Sequence, residues 1–118
     1  MRTFLIVLLP LLIQASNLSY EKGRDLYFQK GCANCHGTEA EGNSYYPKLA
    51  NRPKNHILKK LAAFKNGEAD NQKQEIMFTF ARSLNEEDMQ NLATYLSEFQ
   101  ADTSDKYEIS DDILGSMD

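Results

Sequence analysis

The sequence predicts a small all-α domain, and three observations carry that prediction. Apolar residues recur at helical spacing in three stretches, and no stretch alternates apolar and polar residues as a half-buried strand does. Each helical stretch is bounded by residues that start or stop helices. Without its apolar leader the chain is about a hundred residues, one domain by length. A domain that short buries only about 60% of its extended surface and gains from a staple to its core.

The leader comes first. Met1-Arg2 gives a short positive start, Phe4 to Ile13 is an apolar run broken only by Pro10, and Ile13-Gln14-Ala15 offers a small residue for cleavage. The run is short for a bilayer span, so residues 1–15 are expected to be a cleaved export signal; an uncleaved membrane tether is the alternative. Export places the chain in the periplasm. The domain is then expected over 16–100, followed by a tail at 101–118.

A first helix is expected from about Tyr20 to Lys30, with Ser19 as N-cap and Gly23, Leu26, Tyr27 and Lys30 along one side. It leads into Cys32-Ala33-Asn34-Cys35-His36, which uses both cysteines of the chain and is the attachment signature of c-type haem. Cysteines three apart on one helical turn point the same way, so each thiol can add to a haem vinyl group. His36 then becomes the proximal iron ligand. Two other readings of the motif exist. Zinc normally needs four side-chain ligands, and only His56 remains to join these three. A thioredoxin-like dithiol expects a preceding strand in a βαβ setting, whereas these surroundings are helical.

A second helix follows Pro53, places Ile57, Leu58, Leu61 and Phe64 on one face, and ends near Gly67. A third starts at Asn85 as N-cap, carries Glu86, Glu87 and Asp88 in its first turn, and aligns Met89, Leu92, Ala93, Leu96 and Phe99.

Charge is divided along the chain. The net charge is -4, yet Tyr20 to Gln100 carries as many basic as acidic side chains. The tail holds the excess, with Asp102, Asp105, Glu108, Asp111, Asp112 and Asp118 against Lys106 alone. It reads as a solvated, flexible end, or as a docking segment for a basic partner with Ile109, Ile113 and Leu114 as apolar contacts. No basic stripe suggests nucleic acid. No acid/base carboxylate pair, phosphate-cradling glycine loop or serine nucleophile motif suggests an enzyme.

The motif Cys32 to Gly37, the segment Gly23-Arg24-Asp25-Leu26-Tyr27, the stretch Tyr46-Pro47-Lys48-Leu49-Ala50, the run Leu58 to Gly67, and Met77 followed by Ala81 to Asp88 together resemble class I cytochromes c. The small bacterial branch is the nearest in look: single-haem cytochrome c553, and each half of two-haem cytochrome c4. The resemblance covers about Tyr20 to Gln100. It implies the class I cytochrome c fold, with helices packed around one covalently attached haem c.

The resemblance also implies a sixth iron ligand from a loop ahead of the last helix, where Met77 stands; a neutral thioether there raises the potential. Met89 competes but falls on the apolar face of the third helix, and Met117 lies in the tail. His56 is expected to pack near the haem edge, with bis-histidine ligation as the alternative. The carbonyl of Pro47 matches the family's acceptor for the proximal histidine N–H. Gly23 and Tyr27 would cross the last helix at Leu92 and Tyr95. Arg52, Tyr45 and Tyr46 are donor candidates for the haem propionates. Asn51-Arg52 departs from the glycine-glutamine common in the family.

The implied function is one-electron transfer by a monomer that docks transiently with a redox donor and acceptor, without stable membrane insertion. One alternative is a haem subunit of an oxidoreductase complex, like the cytochrome partner of a flavin-containing sulfide dehydrogenase. Another is an open-iron haem that binds gas or reduces peroxide.

Overall fold

The computed structural model describes the backbone of residues 9–101 and the side chains of 17–101. The start of the expected leader and residues 102–118 of the expected tail lie outside the described residues. Five α-helices are described: α1 Leu9–Gln29, α2 Ala33–His36, α3 Lys54–Lys65, α4 Met77–Ala81 and α5 Glu86–Ser97, with a 3-10 helix at Gln72–Ile76 before α4. Among the described residues there is no strand. None of the described helices is long and apolar enough to cross a membrane.

The expected N-cap at Ser19 is corrected. Helix α1 runs through it without a break, because Leu11 to Leu18 contains no glycine or proline to stop a helix entering from the leader side. At its other end α1 closes at Gly31, with φ +79. The Cys32 amide donates to the Tyr27 carbonyl at 3.0 Å and the Lys30 amide to the Leu26 carbonyl at 2.8 Å. This glycine-terminated cap makes the first cysteine a direct continuation of the helix. Helix α3 ends in the same way at Gly67, where the Glu68 amide reaches the Ala63 carbonyl at 2.9 Å.

Helix α5 begins with a reciprocal capping box: Asn85 Oδ1 accepts from the Asp88 amide at 2.8 Å, and Asp88 Oδ2 accepts from the Asn85 amide at 3.0 Å. Its apolar face is the centre of the core, with Met89, Leu92, Ala93, Tyr95 and Leu96 buried beside Tyr27, Ile57, Ala81 and Leu84. Helices α1 and α5 form the largest interhelical interface. A Cβ on Gly23 would lie 2.0 Å from the Asn91 carbonyl oxygen and 2.7 Å from Tyr95 Cβ. The crossing therefore requires a glycine. The nearest atoms to Gly23 belong to Asn91 and Tyr95 rather than to Leu92. Tyr20, Tyr27 and Phe99 pack their rings around Tyr95 at centroid separations of 5.0, 5.6 and 5.7 Å.

Candidate haem site

One helical turn carries the motif. Cys32 already has helical dihedrals, the Cys35 and His36 amides approach its carbonyl at 3.4 and 3.0 Å, and Gly37 terminates the turn. Tyr27, fully buried on α1, donates its hydroxyl to the Gly37 carbonyl at 2.6 Å and ties the turn to the core.

The loop after the motif orients His36. The Gly42 amide donates to the His36 carbonyl at 2.8 Å. Gly42 has φ +64, and a Cβ there would lie about as close as 2.5 Å to the backbone of Tyr46, Pro47 and Lys48. The loop thus folds flat on this glycine and brings the Pro47 carbonyl 2.9 Å from His36 Nδ1. A carbonyl only accepts, so Nδ1 carries the proton and donates, leaving Nε2 with its lone pair for a metal. His36 is 6% exposed. Further along, Ala40 accepts from the Leu49 and Ala50 amides at 2.9 and 3.1 Å, and the Asn51 amide donates to the Leu96 carbonyl at 2.7 Å. Asn51 sits at φ +63. Asparagine is among the few non-glycine residues that tolerate this region, which accounts for the substitution where the family commonly has glycine.

These elements enclose a cavity of about 370 Å³, within the range of cofactor sites. Cys32, Cys35, His36 and Met77 all line it, as do Pro47, Arg52 and His56. Leu49, Ile57, Leu61, Phe64, Phe80 and Leu96 supply apolar wall. Met77 is half-buried and opens α4 directly after the 3-10 helix, not in a loop. Met89 is buried in the core cluster and is not part of the cavity wall. His56 is exposed in the first turn of α3. Met117 lies outside the described residues.

Arg52 Nε donates to the Lys48 carbonyl at 2.5 Å. Tyr45 and Tyr46 stack edge to face at 4.8 Å, and Tyr46 lies 6.1 Å from the His36 ring. In the haem-free chain the neighbouring Cys35 thiol, first as a hydrogen-bonding partner and then by its charge when ionised, raises the Tyr46 phenol above its ordinary pKa. Phe80, Ile76 and Lys73 in this wall were not anticipated from the sequence. Ile57, Leu61 and Phe64 are the face that the periodicity of α3 displays.

The donor set fits a covalently anchored haem better than the competing chemistries. In the haem-free chain burial pushes the Cys32 thiol up to about 11. Its thiolate is therefore scarce near neutrality, the opposite of what a catalytic dithiol needs. Among the described residues no three His, Cys, Asp or Glu side chains cluster as a metal-ion site would require.

The cytochrome c family model matches residues 20–100, a span that contains every residue of this cavity. The chain belongs to the cytochrome c family. It is similar to cytochrome c-554(547) of Halothiobacillus neapolitanus, 39% identical over 83 residues, which cover 64% of this chain and 90% of that protein. It is also similar to cytochrome c4 of Azotobacter vinelandii, 28% identical over 90 residues, or 74% of this chain and 43% of that protein. The match thus spans less than half of the cytochrome c4. With the family come covalently attached haem c, for which Cys32 and Cys35 are present in the required motif, and electron carriage as the function.

Proposed function

We propose that this chain is a periplasmic one-electron carrier in which Cys32 and Cys35 hold the haem and His36 and Met77 are its axial ligands. The reading assigns residues 1–15 to a cleaved export signal, 16–100 to the haem domain and 101–118 to an acidic tail. The observation that carries it is the convergence of both cysteines, a histidine with Nδ1–H committed to the Pro47 carbonyl, and a methionine thioether on one apolar cavity.

The haem, when bound, supplies an iron that takes up and releases one electron. The chain's own residues keep that exchange fast and clean. Pro47 fixes the tautomer and orientation of His36, so the ring does not turn when the charge changes. The thioether of Met77 is neutral and soft, and favours the reduced state. Leu49, Ile57, Leu61, Phe64 and Phe80 would exclude water around the haem, and Arg52, which lines the same cavity, is assigned to pair with a haem carboxylate. Partners would meet the chain at the cavity mouth, in small and short-lived encounters whose rate is steered by charge.

Carbon monoxide tests the closed coordination. The purified ferrous holoprotein is expected to bind it negligibly, and Met77→Ala is expected to bind it readily while retaining haem on a denaturing gel. Ready binding by the parent would instead identify an open iron suited to gas binding or catalysis.

A further inference from the structure

The cavity lining carries charge of one sign. Lys48, Arg52, Lys60 and Lys73 line it, and among the described residues no Asp or Glu does. Lys60 is paired with Asp70, and Arg52 donates to the Lys48 carbonyl. That leaves Lys48 and Lys73, both exposed, with the Lys73 ammonium 3.7 Å above the centre of the Tyr45 ring. Exposed apolar surface lines the same cavity, Tyr45 at 58% and Ile76 at 56%.

The same chain carries the complement. Residues 102–118 contain Asp102, Asp105, Glu108, Asp111, Asp112 and Asp118 against one lysine, interleaved with Ile109, Ile113 and Leu114. The described chain ends at Ala101, just after the Gln100 amide donates to the Tyr20 hydroxyl at 3.1 Å; about a turn earlier on α5, Leu96 lines the cavity, and its carbonyl accepts from the Asn51 amide, next to Arg52. From Ala101, the last described residue, the chain to Asp112 extends to about 37 Å at full stretch.

We infer that residues 102–118 dock on the mouth of their own cavity, with carboxylates against Lys48 and Lys73 and apolar side chains against Ile76 and Tyr45. The contact is electrostatic and weakens with salt. At low ionic strength it shields the haem edge from anionic partners. The inference deepens the carrier reading, and the location of the contact is tested independently of it.

Both native cysteines are consumed by the haem, so Ser110→Cys gives one site for a nitroxide label on the full-length ferrous holoprotein. Amide intensities are compared before and after reduction of the label. At about 10 mM salt, where charges act over about 30 Å, the amides of Tyr46, Lys48, Leu49, Lys73 and Gln74 should lose at least about half their intensity. They should recover at about 0.5 M salt, and in Lys48→Gln/Lys73→Gln. Absence of broadening at low salt, or broadening indifferent to salt and to the lysines, overturns the inference. So does broadening seen only on unlabelled molecules in a mixed sample, which would mean that the tail binds a second copy.

Kinetics give a second readout. Deleting residues 102–118 should speed oxidation by ferricyanide about threefold at low salt, and much less in the Lys48→Gln/Lys73→Gln background. An equal gain in both backgrounds would mean that the tail acts only through net charge, and would overturn docking. Failure of Met77 ligation would alter carbon monoxide binding but leave the label contact in place, so the two readings fail separately.

Discussion

Replacing Gly23 by alanine puts the α1–α5 crossing to a test in which the sign of the effect is decisive. A Cβ at this position would stand 2.0 Å from the Asn91 carbonyl oxygen, 2.6 Å from its carbon and 2.7 Å from Tyr95 Cβ. Two of these atoms are helix backbone and cannot rotate away, so the helices must separate by about 1 Å. A gap of that size forfeits about a quarter to a half of the dispersion well along the seam. The seam is where Tyr27, Leu92 and Tyr95 are buried. Overpacking of this kind costs about 1–3 kcal/mol, and contacts this short against rigid backbone put Gly23 at the upper end, about 3 kcal/mol, from which alanine's better helix propensity returns about 1 kcal/mol. A net loss of about 2 kcal/mol is expected, or a drop of about 8–16 °C in Tm for a domain of this size. The assay is thermal unfolding of the holoprotein followed by far-ultraviolet circular dichroism. An unchanged or higher Tm, as at an exposed helical glycine, would refute the close crossing.

Further outcomes are expected elsewhere. Asn85→Ala removes the side-chain half of the α5 capping box, the acceptor for the Asp88 amide, and should cost about 1 kcal/mol in urea unfolding; no loss would mean that this half is idle. Gly42→Ala cannot keep the loop against the backbone of Pro47 and should shift the reduction potential measurably, with nuclear magnetic resonance showing a changed His36 ring N–H; an unchanged potential and ring signal would detach Pro47 from His36.

Burial raises the Tyr27 hydroxyl above its ordinary range, so above about pH 10 the unfolded chain ionises while the folded one stays protonated. The folded state then holds more protons, and stability should fall by about 1.4 kcal/mol per pH unit from this residue. Tyr27→Phe should flatten that alkaline slope in unfolding measured from about pH 9.5 to 11.5, and an unaltered slope would place the tyrosine in water.

The parts of the fold legible in the sequence are those whose signals are local. The capping box at Asn85 and Asp88, the stop at Gly67 and the apolar face of α3 are each written within a few consecutive residues. The haem motif is legible for the same reason, since its chemistry needs adjacent residues on one turn. The 3-10 helix and α4 were hidden because five residues are too few to display a period. Met77 therefore stood out only through family resemblance, and its position at the start of a helix did not. The role of Gly42 rests on backbone brought together by the fold, and no spacing announces it. Lys73 over Tyr45 is a contact between distant stretches and leaves no trace in either. Ser19 misled because a serine before an apolar period looks like a cap, while the residues ahead of it are themselves good helix formers.

The central claim is that His36 and Met77 meet one iron. Its most direct test is the absorption spectrum of the ferric holoprotein beside Met77→Ala and Met89→Ala, at the weak far-red band of sulfur on ferric iron. The band should be present in the parent, kept in Met89→Ala and lost in Met77→Ala with the haem still attached. A parent without the band, or a band that survives Met77→Ala, would contradict the account.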